Sequence, residues 1–270
     1  MSLNPETSYP IGIFDSGVGG LTVLAALRER LPAENFVYLG DTARVPYGNK
    51  SPEVVTRYAF ENTLFLLDRN VKMVVIACNT ATAGSLDRLQ RHFRRPIIGV
   101  IEPGAGLAAQ RSVSGRIGVI GTVGTVASGA YEAAIHRRRP GARVHSVACP
   151  LLVPLAEEGW LDHAASRLIV AEYLDPLVAE NIDVLLLGCT HYPLLRGLIQ
   201  THVGSGVQVL DSAGATAAAV HEELERCRLA RSGPGGGQVE FHLSDRHPHF
   251  KRLGERFLGA TIDQVHLVTY

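Results

Sequence analysis

Short runs of apolar, mostly β-branched residues alternate with amphipathic segments along almost the whole chain. The runs predicted to be strands are residues 11–14, 36–39, 71–76, 97–101, 116–120, 143–148, 184–187 and 207–210. Their nearly continuous hydrophobicity is typical of parallel strands that are buried on both faces. The alternation therefore predicts an α/β fold in which helices cover both faces of mainly parallel sheets.

Amphipathic periodicity predicts helices between these strands. They are expected at residues 21–31, 52–69, 85–93, 128–136, 163–180 and 216–227. A further strand, Val239–Leu243, and a helix in the terminal segment HFKRLGERFLG are predicted to return to the first half of the fold.

A weak internal repeat divides the chain into two halves. The segment IGIFDSGVGGLTVLAAL begins at Ile11, and the similar segment IGVIGTVGTVASGAYEAAI begins at Ile117. Each half later ends an apolar strand on a cysteine, Cys78 and Cys189 respectively. The alternative to a gene duplication is that the similarity reflects only the strand–turn–helix pattern that any two α/β halves share. A duplication predicts two similar three-layer α/β/α domains, related by a pseudo-two-fold axis, with the active site in the cleft between them.

Composition marks the expected domain boundaries. The segment 102–106 contains Pro and Gly, and the strand predicted at 207–210 closes the second half. The first domain is therefore expected to be discontinuous, with residues 1–101 and 212–270, and the second to comprise residues 102–211.

Charge and hydropathy argue against several classes of function. Lys plus Arg and Asp plus Glu number 26 each, so the chain lacks the basic footprint of a nucleic-acid-binding protein. No apolar run reaches the length of a membrane span, and the polar first residues do not resemble a signal peptide. We therefore expect a cytoplasmic protein without a nucleic-acid or membrane partner.

The four cysteines are too few and too scattered for a disulfide framework. None of their spacings matches a CxxC zinc site, and His247 and His249 have neither a partner cysteine nor a nearby pair of carboxylates. The sequence thus predicts no metal site. In a reducing compartment these cysteines are thiols that matter through their reactivity.

Two of the cysteines end apolar strands and are followed by polar side chains. Cys78 lies in VVIACNTAT and Cys189 in LLLGCTHYP. Ligands of parallel sheets bind beyond the carboxyl ends of the strands, and a helix N-terminus at such a place lowers the pKa of a thiol. Two thiols on opposite faces of one carbon can remove a proton and return one with inversion. Cys149 and Cys227 lack this context and are expected to be inert.

Four blocks follow one another along the chain: IFDSGVGGLTVL, YLGDTARVPYGNKS, VIACNTATA and LLLGCTHYPLL. Together with IGVIGTVGTVASGAY, PLAEEGWL and LGERFLG, they resemble the glutamate racemase family, within the cofactor-independent aspartate and glutamate racemases. GCTHYP alone would fit the wider group, whereas the four blocks in this order are more specific. The resemblance implies interconversion of L-glutamate and D-glutamate at Cα without a cofactor, and a supply of D-glutamate for peptidoglycan. We also expect a homodimer.

The resemblance implies a set of site residues. Cys78 and Cys189 would be the proton acceptor and donor, exchanging roles with the hand of the substrate. Asp15 and His191 are expected to shuttle or orient their protons, and Glu157 is a further catalytic candidate that the sequence does not separate from its neighbour Glu158. Substrate contacts are expected from a polar set: Asp15, Ser16, Tyr47, Gly48, Asn79, Thr80, Thr122, Thr125, Thr190 and His191.

Other functions stay open at this point. A relative with the same two-thiol chemistry would racemise aspartate or another amino acid. A two-lobed protein that binds an acidic ligand would share the fold, although the doubled strand-end cysteine argues against it. A descendant kept as an interaction protein would not need both cysteines. A pyridoxal enzyme requires a Schiff-base lysine, and Lys50, Lys72 and Lys251 lie in no suitable context.

Overall fold

The computed structural model describes residues 5–233, 235–246 and 250–268. Within these residues the chain forms two compact units. The first unit takes the chain up to Val100 and again from Ala213 onward, and the second consists of Ile101–Ser212. His247 and His249, considered above as metal ligands, lie outside the described residues.

The first stretch of the first unit alternates strands and helices. Its elements are β1 (Ile11–Asp15), α1 (Leu21–Arg30), β2 (Phe36–Gly40), α2 (Pro52–Leu67), β3 (Met73–Ile76), α3 (Asn79–His92) and β4 (Ile97–Gly99). Local chemistry fixes their ends, as at α2, where the Ser51 hydroxyl accepts a hydrogen bond from the Val54 N–H and Pro52 takes the first helical position.

The second unit continues this alternation. Its elements are α4 (Ile101–Arg111), β5 (Arg116–Gly121), α5 (Val123–Ala127), α6 (Ala130–Arg138), β6 (Arg143–Ala148), α7 (Leu152–Glu158), α8 (Ala164–Ala179), β7 (Val184–Gly188), α9 (Arg196–Val203) and β8 (Gln208–Asp211).

The chain then returns to the first unit. The returning elements are α10 (Ala213–Cys227), β9 (Val239–Leu243), α11 (Phe250–Leu258) and β10 (Val265–Leu267). Helix α1 packs against α10 and α11, whereas α2 packs against α3 and β1. Since β1, β2 and β3 are buried along their whole length, helices cover both faces of their sheet.

Each unit contains one sheet, and every strand pair in the described residues is parallel, which confirms the predicted α/β class. The strand order is β10-β9-β2-β1-β3-β4 in the first unit and β6-β5-β7-β8 in the second. In both sheets the chain leaves a central strand, adds the next strand on one side, and then crosses to the other side. Such a reversal is a topological switch point, where ligands of open parallel sheets bind.

The segment 102–106, near which the sequence predicts a domain boundary, is part of α4, and the second unit begins with this helix at Ile101. Pro103 is tolerated because it lies in the first helical turn, where its missing N–H has no partner to lose. Gly104 allows a close approach, since a Cβ there would lie 3.0 Å from the Cβ of Ser212.

Two predicted helices have different limits in the structure. Helix α3 begins at Asn79, directly after Cys78, which has the extended conformation of an N-cap. The sequence predicted a start at residue 85 because the polar first turn of the helix shows no apolar periodicity. The helix predicted over 128–136 corresponds to α6, which begins at Ala130 after Gly129, whose φ of 64° is in the left-handed region. The short helix α5 ends at Ala127, before the predicted range.

No helix within the described parts of the chain has the length and hydrophobicity needed to cross a membrane.

A buried ion pair joins the two chain segments that make up the first unit. Lys72 precedes β3 with a fully buried side chain, and its Nζ lies 2.5 Å from Glu34 Oε2. The same Nζ donates to the carbonyls of Thr7 at 2.9 Å and Leu229 at 2.8 Å, while Glu34 Oε1 accepts from the Arg231 N–H at 2.8 Å. Removing one partner would leave a buried charge uncompensated, which is strongly destabilising.

We expect Lys72→Met to lower the free energy of unfolding by about 3–5 kcal/mol, because it strands the Glu34 carboxylate. The matched control is Arg167→Met, which breaks an exposed pair with Asp162 and should cost at most about 1 kcal/mol. Urea titration followed by far-UV circular dichroism measures both. Equal midpoints for the two variants would contradict the prediction.

Candidate active site

Cys78 lies at the carboxyl end of β3 and is the N-cap of α3. Its carbonyl accepts the Thr82 N–H at 2.9 Å, and the Thr82 hydroxyl donates to the Ile76 carbonyl at 3.1 Å. These bonds hold the thiol on a fixed turn between strand and helix. Only 5% of Cys78 is exposed. Asn79 and Thr80 follow in the first turn of α3, and both are buried.

Asp15 and Ser16 lie next to Cys78 because β1 and β3 are paired. Phe14 is opposite Ile76, and the Ala77 N–H donates to the Phe14 carbonyl at 2.9 Å. The Asp15 carboxylate is fully buried and accepts the Gly17 N–H at 2.9 Å. Position 20 has to be glycine, since a Cβ there would lie 2.4 Å from that of Asp15. The backbone thus fixes the carboxylate beside the thiol's strand.

Tyr38 connects these groups electrostatically. Its hydroxyl donates to the Gly17 carbonyl at 2.8 Å. Burial raises the pKa of Tyr38 well above its usual value, and the negative charges of Asp15 and Cys78 raise it further. The phenol therefore stays protonated and keeps its hydrogen bond to the turn after β1.

Tyr47 and Gly48 lie in a short 3₁₀ turn, Tyr47–Asn49, which contacts α3. Tyr47 shares an apolar cluster with Cys78. Its hydroxyl donates to Asp41 and accepts from Asn62 Nδ2 at 3.0 Å. Neither Asp41 nor Asn62 was among the predicted site residues.

Cys189 follows β7 in the second unit, where Gly188 is opposite Gly121 of β5. It is 7% exposed, and its carbonyl accepts the Tyr192 N–H at 3.2 Å. A 3₁₀ turn, Tyr192–Leu195, precedes α9 here, so this thiol does not cap an α-helix as Cys78 does.

His191 lies between Cys189 and a carboxylate. Its Nδ1 is 4.0 Å from the Cys189 sulfur, and its Nε2 is 3.0 Å from Glu157 Oε1. The structure thereby distinguishes the two neighbouring glutamates, because Glu157 reaches the imidazole whereas Glu158 is exposed. A thiol, an imidazole and a carboxylate in series form an arrangement that can transfer and hold a proton.

The environment of His191 favours its protonated form. Burial has the largest single effect and lowers the pKa of this imidazole, but the hydrogen bonds to Cys189 and Glu157 and the charges of both partners together outweigh it. The net result raises the pKa of His191 to about 10. The side chain is therefore an imidazolium at neutral pH, next to the thiol.

Three threonines complete this strand-end cluster. Thr122 follows β5 as the N-cap of α5, where its Oγ1 accepts the Thr125 N–H at 3.2 Å. The two hydroxyl oxygens are 3.0 Å apart. Thr190, which follows Cys189, is buried. Since Gly121 and Gly188 are paired, the three hydroxyl groups lie near the same edge of the sheet as the thiol.

The other two cysteines have surroundings that disfavour ionisation. Cys149 is fully buried after β6, and burial together with the charge of Cys189 raises the pKa of its thiol to about 12. Burial and a hydrogen bond to Glu223 raise the pKa of Cys227. Both are protonated at neutral pH.

Within the described residues, no three His, Cys, Asp or Glu side chains come together in a way that would hold a metal ion.

Comparison with known proteins establishes the family. The Asp/Glu/hydantoin racemase family model matches residues 19–220, which include both strand-end thiols. This chain belongs to that family.

Several glutamate racemases match the chain over nearly its full length. A protein named glutamate racemase from Geobacter metallireducens is 51% identical over 259 residues, or 96% of each chain. The crystal structure of a glutamate racemase isoform from Bacillus anthracis is 40% identical, with a TM-score of 0.93, over 97% of this chain and 98% of that one. A glutamate racemase from Francisella tularensis, solved with D-glutamate, is 34% identical, with a TM-score of 0.91 and the same coverage.

Within this racemase fold, the sequence-predicted residues fall into two strand-end groups, one in each unit. The first contains Asp15, Ser16, Tyr47, Gly48, Cys78, Asn79 and Thr80, and the second contains Thr122, Thr125, Glu157, Cys189, Thr190 and His191. Tyr38 and Asp41 were not among the predicted site residues, although both lie in the block YLGDTARVPYG. A charged residue directly after a buried strand is a signal that would have found Asp41.

We expect Glu157→Gln to lower the pKa of His191, because the neutral amide no longer stabilises the imidazolium while burial still opposes it. Glu158→Gln is the matched control and should leave that pKa unchanged. Imidazole ¹⁵N NMR shifts followed against pH measure it. An unchanged His191 titration in Glu157→Gln would contradict the assigned pairing.

Proposed function

We propose that this protein interconverts L-glutamate and D-glutamate, with Cys78 and Cys189 as the two proton-transferring groups. The observation that carries the proposal is that each unit presents one thiol at the topological switch point of its sheet, among buried polar side chains. The order β2-β1-β3-β4 within the first sheet matches the order β6-β5-β7-β8 of the second, which suits a reaction in which the two faces of a carbon are treated alike. The full-length similarity to glutamate racemases supports glutamate as the substrate.

The proposed reaction has two proton transfers. A thiolate on one face takes the α-proton, so that an S–H bond forms as the Cα–H bond breaks and its electron pair stays on carbon. The carbanion becomes planar, and the thiol on the opposite face donates its proton to Cα, leaving a thiolate. The enzyme ends with its proton on the other sulfur, and the reverse reaction restores it.

Neighbouring groups assist each thiol differently. On the Cys189 side, the His191 imidazolium stabilises the thiolate, and Glu157 holds the imidazole in place. On the Cys78 side, the N-terminus of α3 would stabilise the negative charge of the thiolate. The buried Asp15 carboxylate would orient or transfer the proton of the thiol. The Cys189 side therefore has a cationic partner, whereas the Cys78 side has an anionic one.

The polar side chains around the thiols would bind the substrate. Amino-acid carboxylates are held by hydroxyl, amide and backbone N–H groups, as at helix N-termini. Ser16, Asn79, Thr80 and Thr190 supply such groups beside the two cysteines. In this proposal Thr122 and Thr125 contact the side-chain carboxylate and thereby select glutamate.

The product fits a place in cell-wall synthesis. D-Glutamate is a component of peptidoglycan, and this chain would supply it.

A cytoplasmic homodimer is part of the proposal, and sedimentation velocity of the purified chain tests the dimer. Aspartate is the second candidate substrate, because the same thiol chemistry would serve it. Comparing the circular dichroism change with L-glutamate and with L-aspartate distinguishes the two.

We expect Cys78→Ser and Cys189→Ser each to lower racemisation by about 10²-fold or more, because a serine hydroxyl hardly ionises at neutral pH and is a poor base. Each variant should still eliminate a β leaving group from one hand of a substituted glutamate. Cys189→Ser, which keeps Cys78, should prefer the D form, and Cys78→Ser the L form. Cys227→Ser is the matched thiol control and should racemise normally.

Enantiomer-resolved chromatography measures both the elimination and the racemisation. If the two serine variants prefer the same enantiomer, the thiols do not act on opposite faces of the substrate and the mechanism is wrong.

A further inference from the structure

The phenol of Tyr47 is fully engaged within the protein. It donates its proton to Asp41 and accepts from Asn62 Nδ2 at 3.0 Å, and 1% of the residue is exposed. Burial and the Asp41 charge raise the pKa of Tyr47 well above its usual value, so the hydroxyl stays protonated. The turn that carries Tyr47 and Gly48 therefore offers a ligand its main chain rather than its phenol.

Asp41 is the centre of the network that holds this turn. Its carboxylate is fully buried and accepts from the Arg44 Nε at 2.7 Å as well as from the Tyr47 hydroxyl. Its N–H donates to the Asp15 carbonyl at 2.9 Å. Asp41 thus joins the turn to the end of β1, where the carboxylate of Asp15 lies. A buried carboxylate in this position requires all of its donors.

The third donor to Asp41 comes from the end of β9. The Ser244 hydroxyl donates to Asp41 Oδ1 at 2.8 Å across a separation of 203 residues, and it accepts the Ala43 N–H at 2.9 Å. The Ser244 N–H also donates to the Gly40 carbonyl at 3.1 Å. Thr42 repeats the connection, because its hydroxyl donates to the Asp245 carbonyl at 2.7 Å and accepts the Asp245 N–H at 3.0 Å.

We propose that Ser244 is a positioning residue for the racemase reaction assigned above. Through Asp41 and Ala43 it fixes the segment 41–49, which contacts α3 beside Cys78, and thereby sets the affinity for glutamate. Ser244 does not act on the α-proton. It contributes by holding the Tyr47–Asn49 turn in the conformation that receives substrate, so that binding does not have to order it.

Substrate affinity and turnover separate this role from a general effect on the fold. Loss of the Ser244 hydroxyl removes one donor from the buried Asp41 carboxylate and the acceptor of the Ala43 N–H. The segment 41–49 is then held less firmly, while the thiols keep their positions after β3 and β7. We therefore expect Ser244→Ala to raise KM for both enantiomers by about tenfold, with kcat within about twofold of wild type. Ser244→Thr keeps a hydroxyl and should restore KM.

The matched control is Ser8→Ala, which removes an exposed hydroxyl bonded to the Pro5 carbonyl in the same unit and should behave as wild type. Amide hydrogen exchange supplies a readout that does not depend on turnover. Exchange should be faster in residues 43–49 of Ser244→Ala than in wild type, and should be unchanged in Ser8→Ala.

A double variant distinguishes positioning from direct contact. If Tyr47 acts through the Asp41 network, Tyr47→Phe should raise KM as Ser244→Ala does, and the double variant should show less than the product of the two effects. A raised KM in Tyr47→Phe together with wild-type KM and exchange in Ser244→Ala would overturn the proposal. A wild-type chain that does not turn over glutamate would instead count against the proposed function, and the exchange measurement would still decide the positioning role.

Discussion

In each sheet, a central strand pairs with the strand that forms after the chain has crossed to the other side of the sheet. This pairing determines where the chemistry can occur. In the first unit β1 pairs with β3, so Asp15 and Ser16 end beside the turn that carries Cys78. In the second, β5 pairs with β7, so Thr122 ends beside Cys189. Because both strands of each pair are buried, the polar residues needed for catalysis have to gather beyond their carboxyl ends. The same kind of strand pairing thus places Cys78 and Cys189 among polar side chains at the carboxyl ends of their sheets.

Similar backbones carry different electrostatics. Cys78 caps an α-helix and has a buried carboxylate and a neutral phenol as neighbours. Cys189 precedes a 3₁₀ turn and has an imidazolium next to it, held by Glu157. In the proposed mechanism each sulfur has to act both as acid and as base, and the two environments would meet that requirement with different neighbouring residues. The two half-sites are therefore similar in topology but differ in the residues around the thiol.

The parts of this site that depend on local patterns could be predicted from the sequence, and the parts that depend on distant contacts could not. Apolar periodicity predicted the α/β class, which the structure confirms, and the same pattern predicted that Cys78 and Cys189 would follow apolar strands, as they do after β3 and β7. Glu157 and Glu158 could not be separated, because α7 lacked a clear signal and neighbouring helical residues differ by about 100° around the axis. The bond between Asp41 and Ser244 spans 203 residues, so no local pattern reports it.

The central claim is that two thiols act on opposite faces of one carbon, and solvent isotope incorporation tests it most directly. The enzyme, dialysed against EDTA, is incubated with L-glutamate in D₂O, and the Cα hydrogen of each enantiomer is followed by NMR and mass spectrometry during the first few per cent of conversion. The two-thiol account predicts that the D-glutamate formed carries deuterium at Cα, while the recovered L-glutamate stays almost entirely protiated. D-Glutamate that retains the original Cα proton would show that a single group carries it from one face to the other, and would contradict the account.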